Sequence, residues 1–120
     1  MIDEENLLLD EVINVCKTIL AKNIEIRKDN LINHKTSNFM EKYDFFEEDV
    51  KREIKNLTKY DYHQGPLKDR NVNNKHPLWV FIKHIGTIKV AVYIKIKIIN
   101  HRRKIIVYSF HEEGLHDESK

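Results

Sequence analysis

From Ile88 to Ile98 the chain alternates without a break, with Ile88, Val90, Val92, Ile94, Ile96 and Ile98 separated by Lys89, Ala91, Tyr93, Lys95 and Lys97. A period of two sends successive side chains to opposite sides of a strand, so this segment has one wholly aliphatic face that other elements must cover. Its other face carries Tyr93 between lysines. Two similar stretches flank it: Leu78 to Lys83, ending near the turn residues Gly86 and Thr87, and Ile105 to His111, entered through the basic turn Asn100-His101-Arg102-Arg103-Lys104. Three strands joined by short turns make an antiparallel meander.

The cover for the aliphatic face comes from upstream. Residues 4–22 have helical spacing, with Leu8, Val12, Val15 and Ile19 on one stripe and Leu9, Ile13, Cys16 and Leu20 beside it. Ile24-Glu25-Ile26 is a short extended segment, Asn30 to Asn33 a turn or helical start, and residues 36–41 a short helix burying Phe39 and Met40. Asp44 stands three residues before Glu47, a capping-box spacing that predicts the start of a helix with the stripe Phe46, Val50, Ile54 and Leu57, ending near Thr58. Helices followed by a meander give an α+β fold, with N-terminal helices packed on one face of a small twisted antiparallel β-sheet. A chain of 120 residues with 41% hydrophobic side chains, 3 Gly and 2 Pro suits one domain. It divides into a helical part at 1–58, a polar loop at 59–77 holding both prolines, the meander at 78–111 and an acidic tail at 112–120.

The lone cysteine, Cys16, excludes an internal disulfide and a multi-cysteine zinc site. The acidic N-terminus and the lack of a long apolar run give no sign of a secretory leader or a membrane span, so a cytoplasmic protein with no membrane association is expected. A net charge of +2 conceals a division along the chain: residues 1–50 sum to −6, residues 51–110 to +11 and residues 111–120 to −3. No Asp or Glu occurs from Arg70 to His111. Such a stretch, gathered on one surface, attracts a polyanion, with nucleic acid the first candidate.

Glycine-rich phosphate loops, dinucleotide fingerprints, the Gly-x-Ser-x-Gly elbow and HExxH are all missing, and the seven histidines lack metal-site spacing. No metal or cofactor is therefore expected. What remains is a basic and aromatic set on the sheet and the loop before it. Such groups suffice for metal-free RNA cleavage, because RNA supplies its own nucleophile, the 2′-hydroxyl. The protein then needs a proton acceptor, cations for the phosphorane and a proton donor for the departing 5′-oxygen. A histidine titrates near neutral pH, which makes His111 the natural acid or base. Tyr93 and His111 share a face only if their β-hairpin pairs residues whose numbers sum to an even value; a slip of one residue separates them. From the residues alone the candidates are Tyr62, His63, Gln64, Lys83, Tyr93, Lys95, Lys97 and His111, and the plainer alternative stays open: Tyr93 as a strand former with a hydrogen-bonding tip, and His111 as the end of a strand.

Asp61-Tyr62-His63-Gln64-Gly65-Pro66-Leu67-Lys68-Asp69, Leu78-Trp79-Val80-Phe81, Val92-Tyr93-Ile94-Lys95 and Ser109-Phe110-His111, in this order and spacing, resemble the MqsR family of type II toxin–antitoxin toxins. The resemblance covers roughly residues 36–112. It implies a RelE-like α+β fold, ribosome-independent endonucleolytic cleavage of single-stranded mRNA, and neutralisation by a cognate antitoxin protein. It also implies roles for Tyr93 in the Tyr-x-Lys strand and for the basic residue after Ser-Phe. That residue is His111 here and a lysine in the best-known branch. Gln64 stands where the family commonly has a lysine before Gly-Pro, so phosphorane stabilisation would have to come from Lys83, Lys95 or Arg70. With the resemblance, the expected reaction centre is His111, Tyr93, Lys95 and Gln64, with substrate contacts from Lys83, Lys97, Arg70, Tyr62 and His63. Two other classes remain open from the residues: a non-catalytic RNA-binding protein using the same face, with Tyr62, Tyr93 and Trp79 as stacking surface, and a module whose basic face docks an acidic protein.

Overall fold

The computed structural model describes residues 7–27, 34–68 and 76–114. Among these, three helices precede most of a five-stranded mixed sheet, an α+β arrangement as expected. The elements in chain order are α1 (Leu9–Thr18), β1 (Ile24–Ile26), α2 (Lys35–Lys42), α3 (Glu47–Lys55), β2 (Tyr62–Leu67), β3 (Leu78–Ile85), β4 (Val90–Ile99) and β5 (Lys104–Glu112). The strands lie side by side in the order β1-β5-β4-β3-β2. β3, β4 and β5 form the anticipated meander. β1 joins its far edge in parallel, with Ile24 opposite Ile105 and Ile26 opposite Val107.

The period of two in β4 sets the core. Val92, Ile94, Ile96 and Ile98 are buried with Trp79, Phe81 and Ile85 of β3 and with Ile105, Val107 and Phe110 of β5. Val12, Ile13, Val15 and Cys16 of α1, Val50 and Ile54 of α3, and Leu57 cover them. Burial pushes the Cys16 thiol up to about 12, so it stays protonated and inert within this core.

Local chemistry moves several boundaries from those expected. In α1 the Glu11 carboxylate accepts from the Leu8 amide, and Lys55 reaches across from α3 to donate to the Lys17 and Ile19 carbonyls at the other end. The helix is correspondingly shorter than 4–22, and the stripe positions Leu8 and Leu20 are exposed. Asp44 does not start α3. It has φ 58° and closes α2, with the Phe45 amide donating to the Met40 carbonyl at 2.8 Å, the long bond of a Schellman turn. The start of α3 falls two residues later, where the Asp49 carboxylate accepts from the Phe46 amide at 2.8 Å.

Residues 59–77, expected as a loop, contain a 3₁₀ turn (Lys59–Asp61) and the edge strand β2. Gly65 permits it to pack there: its φ is 139°, and a Cβ at this position would lie 3.0 Å from the Trp79 ring and 3.1 Å from the Leu78 carbonyl. The Asn30–Asn33 turn and the Asn71–Asn74 run lie outside the described residues, as does Arg70.

α2 closes the edge of β5 that β1 is too short to reach. The Thr36 hydroxyl accepts from the buried Phe110 amide at 3.1 Å, and Phe39 sets its ring edge-on to Phe110 at 5.4 Å. Thr36→Val keeps the shape and strands that amide, so it should lower unfolding free energy by about 1–3 kcal/mol, measured by urea denaturation. An unchanged midpoint would show that the Phe110 amide does not depend on Thr36.

Candidate functional site

The face of the sheet turned away from the core holds the residues of interest, and two β-bulges put them there. Near the β4–β5 turn the register pairs Ile98 with Ile105 and Ile96 with Val107; beyond a bulge it pairs Lys95 with Ser109, Ile94 with Phe110 and Tyr93 with His111. Tyr108 is the extra residue. Without it, Phe110 would face outward and His111 would enter the core; with it, Val107 and Phe110 both face the core and His111 lies directly across from Tyr93. The second bulge lies in β2, where Tyr62 pairs with Phe81 but Gln64 with Val80, so that Gln64 reaches the outer face. Gln64, Val80, Lys95 and Ser109 therefore form one cross-strand row, and Ile82, Tyr93 and His111 form the row beside it. Adjacent members of a row are about 5 Å apart and the rows about 7 Å apart.

Tyr93 and His111 stack nearly parallel, with ring centroids 5.3 Å apart and planes inclined by 19°. The His111 Nδ1 lies 3.0 Å from the Glu112 carbonyl oxygen. A carbonyl only accepts, so Nδ1 carries the hydrogen, and in the neutral ring Nε2 is the basic nitrogen. The sequence suggested an exposed face here. Instead the two rings are closed in, with 3% of His111 and 8% of Tyr93 accessible, each ring covering one side of the other.

The other expected residues divide. Lys95 and Gln64 join the pair on this face. Lys83 does not: it lies on the helix-covered face, where its Nζ meets the Glu53 carboxylate of α3 at 2.7 Å. Tyr62 also lies on that side, near the Trp79 and Phe81 rings, with its hydroxyl donating to the Gly65 carbonyl at 2.6 Å. Lys97 is on the outer face but wholly buried, its ammonium 5.2 Å from the centre of the Tyr108 ring, and so is not an open phosphate contact. His63 is exposed on β2. Sequence reasoning passed over Tyr108 and Ser109. The former also has the Arg27 guanidinium 4.8 Å from its ring centre, and the latter sits opposite Lys95. The signal for both was the conflict of parity between Val107 and Phe110, two apolar residues three apart in one strand.

Part of the positive charge of the sheet is met by the acidic N-terminal half. Lys83 pairs with Glu53, Lys104 with Glu25 at 2.8 Å, and Arg102 with Glu11 at 2.9 Å. Beside His111, the Glu112 carboxylate accepts from Lys42 Nζ and from the Tyr43 hydroxyl, each at 2.9 Å, and these bonds hold its pKa below the ordinary carboxylate value. Among the described residues no cluster of three or more His, Cys, Asp or Glu is arranged to hold a metal ion, and no helix is long and apolar enough to cross a membrane.

A family model described as "Motility quorum-sensing regulator, toxin of MqsA" matches residues 14–112. No curated protein and no solved structure matches the chain.

Because the Glu112 pKa is depressed in the fold, its bonds stabilise the protein above the ordinary carboxylate pKa and lose that contribution as pH falls through the depressed value. The stability gap between the native protein and Glu112→Gln, read by urea unfolding, should be present at pH 7 and close in acid. A gap independent of pH would contradict this assignment.

Proposed function

The chain belongs to the MqsR toxin family and is the toxin of a toxin–antitoxin pair; from this premise we propose that it is an mRNA endoribonuclease that acts without ribosome or metal. The RNA's 2′-hydroxyl attacks the adjacent phosphorus and the 5′-oxygen departs. His111 exchanges protons at Nε2, since Nδ1 is committed to the Glu112 carbonyl. Tyr93 holds the imidazole by stacking and shares in proton handling. Lys95, two residues along the same face, stabilises the charge that builds on the phosphorane. Gln64, in the same cross-strand row as Lys95, positions the strand through its amide. Lys83 and Tyr62 drop out of this scheme, because the opposite face and its helices claim them.

The observation that carries the reading is the Tyr93–His111 stack next to Lys95 on one face. At 3% exposure the imidazole can meet a phosphodiester only after this face opens, so the reading requires a conformational step before chemistry. The same burial favours one competing reading, in which the pair is packing and the chain grips RNA without cutting it. Neutralisation by the cognate antitoxin protein is compatible with either.

His111→Phe separates the two, since phenylalanine keeps an aromatic ring against Tyr93 and removes the titrating nitrogen. Cleavage of single-stranded RNA in EDTA should fall by about two orders of magnitude or more with RNA binding largely kept, and induced expression of the variant should no longer arrest growth. Undiminished cleavage by His111→Phe would remove the imidazole from the mechanism, and absence of cutting by the native protein would favour the binding reading.

A further inference from the structure

The turn between β4 and β5 carries a feature the cleavage scheme does not use. Three consecutive non-glycine residues, Asn100, His101 and Arg102, have φ of 54°, 56° and 68°, and the Arg103 amide closes the turn by donating to the Asn100 carbonyl at 3.0 Å. Left-handed backbone at a non-glycine residue costs about 1 kcal/mol or more, and such strain collects at functional sites. Beside this turn lies a cleft of about 670 Å³ lined, among the described residues, by Asn23, His76, Asn100, His101, Arg103 and Lys104, none of them acidic. Glu25 reaches Lys104 from the side at 2.8 Å and offsets one positive charge. Arg103, the His101 imidazole and two carboxamides make a donor set suited to phosphate oxygens.

The position of the cleft ties it to the candidate site. Ile99 pairs with Lys104, and Ile99 is on the same face of β4 as Tyr93, Lys95 and Lys97. Six residues separate Tyr93 from Ile99, or about 20 Å along the strand. A single strand laid over this face from the Tyr93–His111 pair would reach the cleft several nucleotides away.

We propose that the Asn100–Lys104 turn and its cleft form a second phosphodiester-binding site, which holds the same RNA strand at a distance from the point of cleavage. The inference rests on single-stranded RNA being what this face binds, as the proposed function has it, but not on its cleavage or on the roles of His111 or Tyr93. Its consequence is length selectivity: long strands engage both places, short ones only the first, and the linked sites add affinity without altering the chemical step.

The test uses the whole protein and RNA carrying 2′-O-methyl groups throughout, so that nothing is cut. The variant is His101→Asn with Arg103→Ala; asparagine tolerates the left-handed backbone at 101, and both side chains are exposed. Its urea midpoint should match that of the native protein. Binding of a strand of about 15 nucleotides should weaken about tenfold, with the slope of log K against log salt smaller by ~0.7 per lost phosphate contact, while binding of a strand of about 4 nucleotides stays the same. Arg103→Glu should weaken the long strand further. Unchanged affinity and slope for the long strand, equal losses for both lengths, or displacement of RNA by polyglutamate of matched charge would each overturn the proposal, the last in favour of an acidic protein partner. If the native protein fails to cut unmodified RNA while the length effect persists, the cleavage reading fails and the second site stands.

Discussion

One extra residue in β5 decides what the outer face of this sheet can do. Val107 and Phe110 both belong in the core, yet they are three positions apart in a strand whose side chains alternate every two. The chain reconciles them with a bulge at Tyr108, which keeps both side chains among the aliphatic and aromatic residues on the helix side. The outward turn of His111 follows as a consequence. The imidazole that meets the Tyr93 phenol is thus aimed by the hydrophobic effect acting on its neighbours, and α2 reinforces the aim by fixing the Phe110 amide through Thr36 and the Glu112 carboxylate through Lys42 and Tyr43.

Charge follows a similar logic of division between faces. The acidic helices and the basic sheet segment neutralise one another in part, through Glu53 with Lys83, Glu25 with Lys104 and Glu11 with Arg102. These pairs dock the N-terminal elements to the strands and withdraw some cations from any encounter with a polyanion. Part of the uneven distribution of charge along the sequence therefore serves assembly of the fold.

Much of this was legible from residue order. The alternation in β4, the stripes of α1 and α3 and the extended Ile24–Ile26 segment all have local signals. β2 did not announce itself because an edge strand with two register shifts, a glycine and a proline has neither period nor composition. Asp44 misled because a carboxylate caps a helix start and also tolerates the left-handed turn that ends one; which role it takes depends on where Phe45 finds a carbonyl. Lys83 misled because alternation assigns residues to two faces without saying which one a lysine will occupy, and Glu53, thirty residues earlier, drew it to the helix side. The parity rule for Tyr93 and His111 was readable as a condition, but the bulge that meets it depends on packing across three strands.

The account is tested most directly by the chemistry of the ends. RNA should be cut by the purified protein in EDTA, and the termini of the fragments identified by mass spectrometry. Attack by the 2′-hydroxyl, helped by protein side chains and no metal, leaves a 2′,3′-cyclic phosphate on one fragment and a 5′-hydroxyl on the other. Fragments ending in 3′-hydroxyl and 5′-phosphate, or cutting that appears only when magnesium is supplied, would contradict it.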